Sequence, residues 1–318
     1  MITGRRILIT GGAGAIGSNL ARALCESNDV IIVDDLSSGH RWNIDSLENV
    51  LFLEGDILEE EILDKAFANK PDIVFHLAAL FANQNSVDHP ERDLMINGNG
   101  SLRVLQKSVL HNVDRFVYTS SACVYGNQET AMSENRIGSL DTPYAITKLL
   151  GEQYCRFFFE NYGLKVNSLR LFNSFGPGEM PGRYRNVVPN FLWLAMNGKP
   201  LPIAGDGLQT RSFTYVEDTV DAIIRSAVKD KAINEIINVG SNVETSIIEL
   251  AELINEITGN NSGIEYKSRP NWDSVLRRHP NLKKAKSLLG WAPTTNLRHG
   301  IERLYPWLEV AMRRKPIE

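Results

Sequence analysis

The feature that most restricts how this chain can fold is an alternation. Short apolar runs, RILIT (6–10), VIIV (30–33), VLFL (50–53), DIVFHLA (72–78), RFVYTS (115–120) and KVNSLRL (165–171), are separated by stretches with helical spacing, such as Leu102, Leu105 and Val109. A strand that is apolar without interruption is buried on both faces, and such strands alternating with amphipathic helices make a parallel sheet wrapped by helices on either side. The expected class is therefore α/β, a doubly wound parallel sheet. With 318 residues, 43% hydrophobic and 23% charged, there is material for one large domain or two fused smaller ones.

From about Asn173 the pattern changes. Gly-Pro punctuation in SFGPGEMPGRY (174–184) is followed by a helical pattern over 186–198 and a turn at Gly205 and Gly207. Helical spacing returns over 216–228, a strand-like EIINVG spans 235–240, and helices are expected at 246–258, 282–289 and 297–307. A sheet domain over 1–172, with 213–240 returning to it, and a smaller α/β region from 173–212 and 241–318 follow from this change of pattern.

The 34 basic and 38 acidic residues nearly cancel, which removes the basic footprint of a nucleic-acid binder or a membrane-surface helix. Cys25, Cys123 and Cys155 are scattered and odd in number, which argues against a disulfide framework or a zinc site. None of the six histidines has a partner suited to a metal site, so no metal is assigned. The start of the chain lacks the apolar core of a signal peptide, and no later run is long enough to span a bilayer. A cytoplasmic protein is expected.

ITGGAGAIGSNLARAL (9–24) sets Gly11, Gly14 and Gly17 at three-residue intervals between the first strand and the first helix, with Ala15 and Ile16 inside the loop. Glycines there permit a tight turn, a close approach of pyrophosphate to backbone amides, and close packing of helix on strand. Asp34 ends the next strand, roughly 20 residues on, where an acid accepts from ribose hydroxyls and repels a 2′-phosphate, favouring NAD over NADP. Turn chemistry after a strand is the competing explanation for Asp34 and Asp35. Asp56, followed by Ile57, has two readings as well: contact with the adenine edge, or a cap on the next helix.

Tyr144 and Lys148 in YAITK stand one turn apart if Pro143 opens a helix, and a strand upstream ends in Ser120-Ser121. Many Tyr/Lys pairs at this spacing are a surface aromatic packed on a lysine stem; the dinucleotide loop in the same chain tilts this pair toward chemistry. Here the sequence resembles the extended short-chain dehydrogenase/reductases of the nucleotide-sugar epimerase and dehydratase branch. The matching features are the glycine loop, Asp34, HLAA (76–79), Ser121, Tyr144-x-x-x-Lys148, RLFNSFGPG (170–178), GLQTRSFTYVEDTV (207–220) and RP at 269–270.

The resemblance implies a Rossmann domain holding NAD over 1–172, a nucleotide-sugar-binding remainder, and a homodimer built on helices at 101–112 and 143–161. It also implies NAD contacts from Leu77, Ala78 and Ala79, and a role for Asn97 in bonding the backbone near the active strand, with a helix cap as the alternative. A free phenol titrates near ~10, and a nearby ammonium and a positive nicotinamide both favour the phenolate. In that scheme Lys148 tunes Tyr144 and holds the nicotinamide ribose, Ser121 bonds the reacting sugar oxygen, and Tyr144 removes the hydroxyl proton.

Members of this branch begin by oxidising the sugar at C4, and the reaction that follows depends on what stands before VYG (124–126). Dehydratases carry an Asp-Glu pair and uronate decarboxylases a Glu at the second position; here the pair is Ala122-Cys123. With no acid or base for elimination, 4-epimerisation of a UDP-sugar of the glucose/galactose type, with an N-acetylated sugar or a uronate also open, is the expected outcome. A dehydratase or decarboxylase is the alternative, with Cys123 either filling space or acting as a thiolate base. Asn173, Arg211, Arg269 and the helix start near Asn186 and Val187 are the implied diphosphate grip, arginine being suited to it by its planar fork. Asn271-Trp272-Asp273 departs from the family's usual Gly-Asp, and Arg183 and Arg185 stand where a C6 substituent would reach.

Overall fold

The structure, a computed structural model, describes residues 2–269 and 275–314. Pro270, Asn271, Trp272 and Asp273, named in the sequence reading, lie outside the described residues. Strands β1 (Arg6–Thr10), β2 (Asp29–Asp34), β3 (Val50–Glu54), β4 (Ile73–His76), β5 (Arg115–Ser121) and β6 (Val166–Leu171) join the strand Ile236–Val239 in one seven-stranded sheet. Its order is β3-β2-β1-β4-β5-β6 followed by Ile236–Val239, and every pair is parallel. This is the doubly wound Rossmann arrangement, and the order reverses between β1 and β4, which opens a crevice at the carboxyl ends of the strands.

The alternation of side chains along each strand feeds two cores. Ile7, Ile9, Val30, Ile32 and Phe75 face one side with Leu20 and Leu24 of helix α1 (Ala15–Leu24). Leu8, Ile31, Val33, Val74, Phe116 and Tyr118 face the other. There they meet Leu63 and Phe67 of α2 (Glu60–Ala68), which is followed in the chain by the short helices α3 (Asn83–Asp88) and α4 (Pro90–Asp93). Val104 and Leu105 of α5 (Ser101–Leu110) and Cys155 and Phe158 of α6 (Pro143–Tyr162) complete that layer. The first core continues without a break into the C-terminal part, through Leu192 and Ala195 of α7 (Val187–Met196), Val220 and Ile223 of α8 (Val216–Val228), and Leu250, Ile254 and Leu304.

Helix α6 shows how local chemistry positions a side chain. The Thr142 hydroxyl accepts from the Ala145 amide at 3.3 Å, Pro143 occupies the first turn, and Gly163 ends the helix at φ 71°. Gly151 lets it sit close on the sheet, because a Cβ there would lie 2.2 Å from the Tyr118 hydroxyl. Two departures from the sequence reading are instructive. The segment Leu94–Gly100 is a π-helical turn, a wider coil that swings Asn97 inward. The last helix runs Leu297–Arg314, past Pro306, because its buried face continues through Leu308 and Ala311.

Candidate active site

A cavity of about 650 Å³ opens along the strand ends. Gly11, Gly14, Ala15, Ile16 and Gly17 line it, with Asp34, Asp35, Asp56, Ile57, Leu77, Ala78 and Ala79. The loop works by what it lacks. A Cβ on Gly17 would fall 2.1 Å from the Gly11 carbonyl oxygen, and one on Gly11, at φ +73°, would fall 2.7 Å from the Ala78 nitrogen. Helix α1 begins at this loop with no side-chain cap, so its first amides face the cavity without an intrachain side-chain acceptor.

Asp34 is buried, and its carboxylate accepts from the amides of Ala13 and Leu36, both at 2.9 Å. Burial raises its pKa above the usual carboxylate range while those two amides oppose the shift. Asp35 accepts from the Ser37 amide and hydroxyl, and Asp56 from the Leu58 amide at 2.9 Å, so both also stabilise their own turns.

Ser121 stands at the carboxyl end of β5, and Tyr144 and Lys148 project from the first turns of α6; all three line the same cavity. Lys148 Nζ donates to the Thr119 carbonyl at 2.9 Å and lies 5.7 Å from the centroid of the Tyr144 ring. Burial pushes the Tyr144 hydroxyl well above a free phenol, Cys123 and Asp93 push the same way, and a bond with Ser121 opposes them. The direction of the Tyr144 shift is thus set by desolvation, opposite to what a neighbouring ammonium would give. Lys148 itself is sealed from water, and its pKa is lowered to about 8, chiefly by burial.

Around this trio is a shell in which His76, Asn97 and Arg170, already marked by the sequence, meet partners that no local signal announces, Glu152, Ser120, Asp93 and Thr147 among them. Glu152 takes a two-pronged ion pair from Arg170, both bonds 2.8 Å, and a 2.5 Å bond from the Ser120 hydroxyl, all out of contact with water. His76 hydrogen-bonds with the hydroxyls of Thr10 and Ser101 at 2.7 and 2.9 Å, and burial lowers its pKa to about 3. Asp93 accepts from Thr147 at 2.6 Å and from Asn97 at 2.7 Å. Asn97 does not border the cavity; it also bonds both backbone groups of Leu80, at 2.7 and 3.3 Å, and so braces the loop that does. A helical i, i+4 spacing links Asp93 with Asn97, but only the fold brings Thr147 to both.

At the far end Asn173, Val187 and Arg211 line the cavity. Asn173 adopts φ 35° and donates to the Ser212 carbonyl at 3.0 Å. Arg211 and Arg269 both donate to the Val275 carbonyl, at 2.9 and 2.8 Å, though Arg269 does not border the cavity. Arg183 is exposed and pairs with Asp88 at 3.0 Å, and Arg185 donates to the Ser38 carbonyl at 2.7 Å. Among the described residues no cluster of His, Cys, Asp and Glu is arranged to hold a metal ion.

Residues 7–240 match the model of the NAD dependent epimerase/dehydratase family. The chain belongs to that family. An epimerase of the thermophilic pseudomurein-containing methanogen Methanothermobacter thermautotrophicus shares its fold with a TM-score of 0.96 and 48% identity, over 98% of this chain and 95% of that one. A UDP-glucose 4-epimerase from Thermotoga maritima, solved with UDP-glucose, gives a TM-score of 0.92 and 36% identity, over 96% and 99%. A UDP-N-acetyl-alpha-D-glucosaminuronate decarboxylase of Bacillus cytotoxicus is 33% identical over 95% of this chain and 97% of its own. This member of the epimerase/dehydratase family is built to accept NAD. The glycine cradle has no room for Cβ atoms at Gly11 and Gly17, uncapped helix amides face the cavity, and a buried Asp34 waits at the end of β2.

Proposed function

We propose that this chain is an NAD-dependent nucleotide-sugar 4-epimerase acting on a UDP-linked hexose. The observation that carries the proposal is the convergence of Ser121, Tyr144 and Lys148 on the cavity that the glycine loop also lines, with Ala122 and Cys123 rather than carboxylates beside them. NAD, held at the glycine loop and Asp34, would supply a reversible hydride acceptor for C4.

The protein's own part is proton handling and position. Burial alone keeps the Tyr144 hydroxyl protonated, so the reaction requires the positive charge of Lys148 and of the bound dinucleotide to favour the phenolate. That phenolate takes the proton of the C4 hydroxyl, and Ser121 donates a hydrogen bond to the same oxygen so that it is held against the tyrosine. Lys148, anchored on the Thr119 carbonyl, supplies positive charge beneath the phenol while it keeps its proton. The 4-keto sugar turns over in the cleft, and Tyr144 returns the proton on the new face. Gly11, Gly14, Ala15, Ile16, Gly17, Asp34, Asp35, Asp56, Ile57 and the 77–79 segment hold the dinucleotide, with Asn97 as a brace. Asn173, Val187, Arg211 and Arg269 hold the UDP-sugar.

We assign 1–172 with 213–240 to the dinucleotide part and 173–212 with 241–318 to the sugar part; the pairing of Ile236–Val239 with β6 supports that division. Exposed apolar side chains at Leu94, Met95, Ile146 and Phe157 support a homodimer, which light scattering checks. Three unpaired thiols support a reducing, cytoplasmic setting.

Purified protein incubated with UDP-glucose, UDP-N-acetylglucosamine and UDP-glucuronate, followed by NMR, tests the reaction. Epimer at constant mass is expected. Loss of water or carbon dioxide would transfer the chain to the lyases, with Cys123 as the group to examine.

A further inference from the structure

Ser121 ends β5 and Tyr144 opens α6, and one buried ion pair touches both elements and the loop that joins them. Glu152 stands one helical turn beyond Lys148 and roughly two beyond Tyr144, and all three are buried on α6. Its Oε1 accepts from the hydroxyl of Ser120, the residue before Ser121, at 2.5 Å and from Arg170 Nε at 2.8 Å, while its Oε2 accepts from Arg170 Nη2 at 2.8 Å. Arg170 comes from β6 and directs Nη1 at the carbonyls of Glu134 and Arg136, at 3.1 and 3.2 Å, in the middle of the joining loop. Its guanidinium also lies 4.7 Å from the ring centroid of Tyr125, in the turn that follows Ser121.

Glu152 and Arg170 do not border the cavity, so neither touches a bound sugar or dinucleotide. As a source of stability a buried ion pair competes poorly with apolar side chains of similar volume, but its forked, directional bonds fix geometry. Here they fix the strand end on the helix. The tie from Ser120 to Glu152 runs beside a second one, from Lys148 Nζ to the Thr119 carbonyl at 2.9 Å. With both in place, the residue after Ser120 has little freedom relative to α6, and a small displacement of Ser121 would weaken its bond with Tyr144.

We infer that Ser120 and Glu152 are positioning residues: Ser120, held by the Glu152–Arg170 pair, sets the Ser121 hydroxyl against that of Tyr144. The inference rests on the epimerase reading for what those two hydroxyls do.

Ser120→Ala is the informative variant, because it removes the tie while Glu152 stays bonded to Arg170 through both oxygens. In the NAD-loaded full chain it is expected to lower kcat about ten- to hundredfold on whichever UDP-sugar the wild type converts, with KM and the Kd of UDP unchanged. The acid limb of the kcat profile, which follows ionisation of Tyr144, should move to higher pH, since the bond from Ser121 favours the phenolate. Ser120→Thr, which keeps the hydroxyl, should recover both. A second measurement needs no turnover. The Cys123 amide donates to the Ser121 hydroxyl at 3.2 Å, and Cys123 is the one of the three cysteines that is not buried. Its alkylation by iodoacetamide should be several-fold faster in Ser120→Ala than in the wild type, because the turn is no longer held.

Wild-type kcat in a folded Ser120→Ala overturns the inference. A loss of kcat matched by weaker UDP binding overturns it as well, since that marks general damage to the cleft. So does an unmoved acid limb with an unchanged alkylation rate, which assigns Ser120 to stability alone. If the wild type forms no C4 epimer, the epimerase reading fails, and the alkylation rates by themselves judge the tie: faster in Ser120→Ala upholds it, equal rates overturn it.

Discussion

The two walls of the cleft handle charge in opposite ways. On the sheet wall, charge is buried and answered: Lys148 is capped by the Thr119 carbonyl, Glu152 is saturated by Arg170 and Ser120, and His76 is kept neutral between two hydroxyls. On the wall formed after Asn173, Arg211 donates to the carbonyls of Thr210 and Val275, and Arg278 donates to a thiol. A wall that holds reacting groups at fixed distance needs its charges settled in advance. This second wall instead presents guanidinium groups along the cavity, and a guanidinium's planar fork suits a phosphate or carboxylate.

If that contrast is right, changes on the sheet wall should act on turnover and stability, and changes on the arginine wall on affinity. The largest effect belongs to Tyr144→Phe. It should lower kcat by about 10²–10⁴-fold with KM little changed, because only the proton acceptor is lost; a variant with near-normal kcat removes Tyr144 from the mechanism.

Glu152→Ala comes next. It strands Arg170 in the interior, where the pair is 1% and 0% exposed, and should cost about 3–5 kcal/mol in chemical denaturation. A loss below about 1 kcal/mol would mean that water or the carbonyls of Glu134 and Arg136 suffice for Arg170.

Acid probes the same wall. His76 has an ordinary pKa of 6.5 that burial lowers to about 3, so the unfolded chain binds the extra proton across that window. Stability is fully present above pH 6.5 and falls as pH drops toward 3, by roughly 3 kcal/mol between pH 7 and pH 4 from this residue. His76→Gln should flatten that part of the curve, and an unchanged acid limb would assign it to other groups. Lys148, lowered from 10.5 to about 8, gives the same sign at the alkaline end, with stability rising between those two values.

The smallest effect tests the other wall. Arg211→Met should raise KM and the Kd of UDP about tenfold with kcat nearly unchanged, the mark of a contact that is equally strong in ground and transition states. A drop in kcat matching that of Tyr144→Phe would erase the distinction between the walls.

Much of the sheet wall can be read along the chain, because its signals are local. The apolar runs become β1 to β6, the glycine trio becomes the turn before α1, and Thr142-Pro143 starts the helix that carries Tyr144 and Lys148 four residues apart. Each depends on neighbours within a turn or a strand. The shell does not: Ser120, Glu152 and Arg170 come from β5, α6 and β6, and nothing in their spacing marks them as one unit. The tuning of Tyr144 escaped for the same reason. A one-turn spacing foretells proximity to an ammonium, whereas the desolvation that sets the direction of the shift is a property of the packed interior.

The amino-acid sequence by itself determined the kind of sheet and the glycine turn before α1, since short-range sterics and side-chain period dictate those. The tertiary structure alone decided which buried charges find a partner. What Arg278 meets depends on segments more than a hundred residues apart, and Cys123, which accepts from it, lies in such a segment.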